Sequence, residues 1–84
     1  MSVAWVTGAR GFVGRHLSLS LAQKGLKVAG IGHGAWLDEE AAQWGVSRWI
    51  NGDVDQSILD SLACLTGLPD MIFHLAGGIK KQKP

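Results

Sequence analysis

Apolar residues in this chain arrive in short blocks, and the spacing inside the blocks changes along the chain. Residues 3–7 read Val-Ala-Trp-Val-Thr, a nearly continuous apolar run of the kind found in a strand covered on both faces of a parallel sheet. Beyond it the period lengthens. Val13, Leu17 and Leu21 stand at i, i+4 and i+8, one stripe of a helix over residues 15–24 that can pack back on the strand. Lys24 offers a cation to the end of that helix, and Gly25 accepts the left-handed conformation of a cap. Residues 26–31 predict a second strand, and Gly32-His33-Gly34 a loop. Asp38, Glu39 and Glu40 put acids in the first turn of a short helix that runs to Trp44, where Gly45 stops it. Residues 46–50 predict a third strand, closed by Asn51 and Gly52. Asp55 suits the N-cap of a helix whose packing face is Ile58, Leu59, Leu62 and Leu65. Gly67 and Pro69 end it, and residues 71–76 predict a fourth, continuous apolar strand.

Strands that alternate with helices imply βαβ crossovers, which are right-handed and build a parallel sheet. The expected fold class is therefore α/β, a Rossmann-type parallel sheet of order 3-2-1-4 with flanking helices. Its ligand crevice is expected at the carboxyl ends of strands 1 and 4, where the order reverses. Composition agrees with one small globular unit: 84 residues, 46% apolar and 18% charged. A net charge of +1 argues neither for nor against an acidic partner, while the lack of a wider basic face or of interleaved aromatics points away from nucleic acid. No apolar run approaches the length of a membrane span, and the start lacks a basic segment ahead of an apolar core. Cys64 is the single cysteine, so it is expected as a small buried side chain in a reducing, cytoplasmic setting. The three histidines and Cys64 show no metal-ligand spacing, and His74 is expected as a satisfied core histidine. Trp5, Trp36, Trp44 and Trp49 are expected as core or half-buried anchors.

Candidate chemistry concentrates in one place. Gly8-Ala9-Arg10-Gly11-Phe12-Val13-Gly14 joins the first strand to the first helix, and its glycines let backbone approach a ligand closely. The helix that follows presents free N–H groups and the positive end of its dipole to whatever occupies the turn. That combination is a phosphate site.

Three motifs in order then carry a family resemblance. Thr7-Gly8-x-x-Gly11-Phe12-Val13-Gly14 with His16-Leu17, Asp53-Val54 after the third strand, and Phe73-His74-Leu75-Ala76-Gly77 at the end of the fourth resemble the extended short-chain dehydrogenase/reductase family. Its NAD-dependent epimerase/dehydratase branch, which acts largely on nucleotide sugars, is the closest match, and the resemblance spans essentially the whole chain. It implies that Gly8, Gly11, Phe12 and Val13 line a pyrophosphate through backbone groups. It further implies that Asp53 accepts from the adenine amino group with the Val54 backbone beside it. Leu75, Ala76 and Gly77 would border the pyrophosphate and the ribose on the nicotinamide side. His16 would pack or cap.

Two departures from the family pattern refine the expectation. Members that use NAD generally carry an acid at the end of the second strand, and Gly32 stands there, followed by His33. With Arg10 in the glycine turn, and His33 as a further candidate contact, the cofactor is NADP or NAD, with NADP favoured. The family's chemistry also uses a Tyr-x-x-x-Lys pair, and the 84 residues contain no tyrosine. Residues 1–78 are therefore expected to be the N-terminal half of a dinucleotide-binding domain, with 79–84 as a basic tail and no catalytic residue among them. The parent protein would be an epimerase, dehydratase or reductase taking a nucleotide-sugar substrate. The alternative is a non-catalytic, dinucleotide-binding redox sensor or regulator. The fourth strand, left as an edge, would seek a second copy or the missing half.

Overall fold

A computed structural model describes residues 2–75. At its centre lies β1 (Val3–Thr7), buried at every position. It pairs in parallel with β2 (Lys27–Gly32) on one side and with β4 (Met71–His74) on the other. On its far edge β2 pairs in parallel with β3 (Val46–Asn51), which completes the expected order β3-β2-β1-β4. Helices α1 (Phe12–Gln23), α2 (Asp38–Gln43) and α3 (Gln56–Thr66) supply the crossovers. Strand alternation divides the core in two. Ala4, Val6, Val28 and Val46 face α1 and α2 with Leu21, Trp36 and Ala41, while Val3, Trp5, Ala29 and Ile31 face α3 with Leu62.

Each helix ends for a local reason. Past α1, Gly25 sits at φ 91° and gives its N–H to the Ala22 carbonyl, while the Leu26 N–H reaches the Leu21 carbonyl. That pair of bonds is a Schellman cap. Asp55 caps α3 as expected, accepting from the Ile58 N–H at 2.9 Å. Among the described residues no helix is long and apolar enough to cross a membrane.

The third strand holds an irregularity that alternation along the chain does not reveal. Val28 pairs with Val46 but Ala29 pairs with Arg48, so Ser47 is an extra, unopposed residue whose hydroxyl donates to the Val28 carbonyl at 2.9 Å. A bulge of this kind reverses which face each later side chain serves. Gly30 then opposes Trp49 and Gly32 opposes Asn51, and both of these β3 residues fall on the α1 side of the sheet.

Several sequence expectations need correction. The first helix starts at Phe12, inside the glycine motif, and its buried stripe is Gly14, Ser18 and Leu21, leaving Val13 58% exposed. The reason is close packing: a Cβ on Gly14 would lie 2.1 Å from the Gly8 carbonyl oxygen, so the helix rests on the turn through its smallest residue. On α3 Ile58, Leu59 and Leu62 pack as expected, but the face continues through Ala63 and through Thr66, whose hydroxyl accepts from the Trp5 indole N–H at 3.1 Å. Leu65 therefore lies at the margin and is exposed, and Cys64 points to solvent instead of the core. His74 is likewise exposed on the edge strand, although Thr7 Oγ1 lies 2.9 Å from its Nδ1. The last strand is assigned as Met71–His74, and the expected continuation to Ala76 lies outside the described residues.

Candidate functional site

The turn between β1 and α1 uses its glycines for different physical reasons. Gly8 has φ 76°, a left-handed conformation that side-chain-bearing residues rarely adopt. Its N–H bonds the Ile31 carbonyl at 2.7 Å, tying the turn to the end of β2. Gly14 is required by packing, as its contact with Gly8 shows. Gly11 is required by neither. It is the N-cap with φ −69° and ψ 171°, and a Cβ there would meet only the Gly8 carbonyl oxygen, at 3.4 Å. What its missing side chain leaves open is space outside the protein. Having no side chain, Gly11 also offers no acceptor to the first turn of α1, which contains no acid either.

That space is a crevice of about 390 Å³ at the carboxyl ends of β1, β2 and β4. Gly8, Gly11, Phe12, Val13 and Gly14 form its floor, Leu75 borders it beyond β4, and Arg10, Gly32, His33 and Trp49 close the remaining side. Thr7 fixes the β4 border: the Leu75 N–H donates to its Oγ1 at 2.9 Å and to its carbonyl at 3.2 Å. Arg15 fixes the turn from below. Its Nη2 and Nε donate to the Arg10 carbonyl at 2.8 and 3.2 Å, and its guanidinium sits 5.6 and 5.2 Å from the ring centres of Trp36 and Trp44. The Arg10 guanidinium itself has no hydrogen-bond or ion-pair partner among the described residues, and it lies against Gly34.

On the far side the loop after β2 is held by residues at the end of β3. The Trp49 indole N–H donates to the Gly34 carbonyl at 3.1 Å, and the Gly34 N–H donates to Asn51 Oδ1 at 3.0 Å. The Gly52 N–H reaches the Gly32 carbonyl at 2.8 Å. His33 Nε2 stands 2.7 Å from Asp53 Oδ1, both side chains being largely exposed.

Of the residues singled out in the sequence, Gly8, Arg10, Gly11, Phe12, Val13, His33 and Leu75 line the crevice together. Asp53 and Val54 are not in its lining; Asp53 is tied to it through His33. Ala76 and Gly77 lie outside the described residues. Sequence reasoning placed Trp49 only as an anchor, yet it forms a wall of the crevice. The signal that could have found it is Gly30-Ile31-Gly32 in the neighbouring strand, which leaves two bare positions on one face for a large ring to cover.

A model of the NAD-dependent epimerase/dehydratase family matches residues 4–83. The chain belongs to that family. No curated protein matches it. Membership implies a nicotinamide dinucleotide, NAD or NADP, as cofactor. The crevice of this family member fits such a group on its own terms: a cradle at Gly11 that a Cβ would fill, beside an uncapped helix N-terminus suited to a pyrophosphate.

Proposed function

We propose that these residues form the cofactor-holding part of a sugar-nucleotide epimerase, dehydratase or reductase that favours NADP, the catalytic Tyr-x-x-x-Lys pair being carried elsewhere in the parent protein. In this reading Gly8, Gly11, Phe12 and Val13 cradle the pyrophosphate through backbone groups, and Leu75 borders it opposite. Asp53 and Val54 meet the adenine, with Asp53 exchanging its His33 partner for the base. The preference for NADP is supported by the Arg10 guanidinium at the rim, which has no partner among the described residues, and by the bare Gly32, a position with no acid to repel a 2′-phosphate. The parent domain joins the rest of its sheet through β4, or a second copy does so.

A single observation carries the proposal. Gly11 needs to be glycine neither for its own backbone angles nor for packing, which supports a reading in which a ligand lies against it. Gly11→Val should consequently remove dinucleotide binding while the fold survives, at a cost of about 1 kcal/mol for a poorer N-cap. Titration of the parent protein with NADPH, paired with a thermal melt, checks this. Undiminished binding by a folded variant would refute the cradle.

A further inference from the structure

Trp49 stands where a carboxylate at the end of β2 would have to go. A Cβ built on Gly32 would lie 2.8 Å from Trp49 Cη2, and one on Gly30 would lie 3.1 Å from Trp49 Cε3 and 2.8 Å from the Ala9 Cβ. The ring cannot step aside cheaply. Its N–H is engaged by the Gly34 carbonyl, and its face meets Trp36 edge-on with ring centres 5.1 Å apart. The Ser47 bulge is what brings it there, since uninterrupted pairing would send residue 49 to the α3 side.

We infer that Trp49 is a specificity-determining residue. By filling the space above Gly32 it bars any side chain at that position, and so bars the acid that would hold the two adenine-ribose hydroxyls of NAD. By binding the Gly34 carbonyl it also fixes the loop against which Arg10 lies, so the same indole that excludes an acid keeps the cationic rim in place for a 2′-phosphorylated ribose. Cofactor choice in this chain thus depends on a pair of positions in adjacent strands. A change at Gly32 alone cannot reverse it. The inference rests on the NADP-favouring reading above.

The test uses the full-length parent protein and measures Kd for NADPH and NADH, with a melt of each variant. Four proteins are compared: wild type, Gly32→Asp, Trp49→Leu, and the double variant. Gly32→Asp alone should melt lower and bind both nucleotides more weakly, with no reversal of preference. The double variant should recover stability over Gly32→Asp and bind NADH about tenfold more tightly than Gly32→Asp does, the value of one charge-assisted hydrogen bond of about 1.5 kcal/mol, which cancels the preference for NADPH. If Gly32→Asp alone reverses the preference, or if the double variant folds no better than Gly32→Asp, Trp49 does not close the position and the inference fails. A wild type that already prefers NADH would instead overturn the NADP reading on which the inference rests.

Discussion

Arg10 and Arg15 show how two residues of one type are put to separate uses within a single turn and helix. Arg15 is engaged twice, gripping a carbonyl and lying over two indoles, so its charge is spent on holding the turn. Arg10 is exposed and without such partners among the described residues, and the backbone carbonyl that Arg15 grips is its own. A guanidinium so exposed, beside a loop that has no acid within residues 32–34, is suited to bidentate recognition of a phosphate. Arg10→Ala should therefore weaken NADPH and leave NADH nearly unchanged. A contact of about 1.5 kcal/mol makes the expected loss about tenfold in Kd, and solvent screening at an exposed rim holds it near that lower figure. Isothermal titration with both nucleotides measures it, and an equal loss for the two would remove Arg10 from the 2′-phosphate.

The helices differ in how far their sequences announce them. In α3 the N-cap Asp55 and the apolar residues Ile58, Leu59 and Leu62 agree with the structure, because a polar cap and large side chains leave a plain pattern. Asp55→Ala should cost about 1 kcal/mol, read as a fall of about 4–8 °C in melting temperature for a domain of this size. An unchanged melt would mean the Ile58 N–H finds another acceptor. Helix α1 was legible in existence, in its Gly25 cap and in Leu17 and Leu21, which pack on the core, but Val13 is not part of its buried stripe. The stripe it buries starts from Gly14 and Ser18, small residues chosen for close approach, and a search for apolar periodicity follows Val13 to the wrong side. Trp49 was missed for a different reason. Period-two alternation counts residues, and a bulge at Ser47 changes the count without any unusual residue to mark it. The glycine turn was the most legible part of the site because backbone requirements select one residue type. The partnership of His33 with Asp53 had no sequence signal, since it depends on how two separate loops meet in space.

At the scale of the molecule, the sheet is buried at its middle and has an edge at each side, β4 and β3. β4 pairs with β1 alone among the described residues, and Met71 and Ile72 are 42% and 57% exposed, with Leu68 nearby at 82%. Unpaired edge groups beside exposed apolar side chains invite another strand. The 84-residue chain on its own is expected to self-associate, and light scattering across a concentration series tests this; a monomer with a cooperative melt would show that four strands suffice. The opposite edge carries a different kind of vulnerability. Because Ser47 is one residue too many, everything from Arg48 to Asn51 owes its side of the sheet to an odd number. Substituting Ser47 leaves that number intact, whereas deleting it would exchange the two faces of the strand at a stroke. Ile50 would turn to the crevice, Trp49 and Asn51 would turn to α3, and the loop at Gly34 would lose both its holds. The wall of the crevice thus depends on the count of residues along β3 as much as on which residues they are.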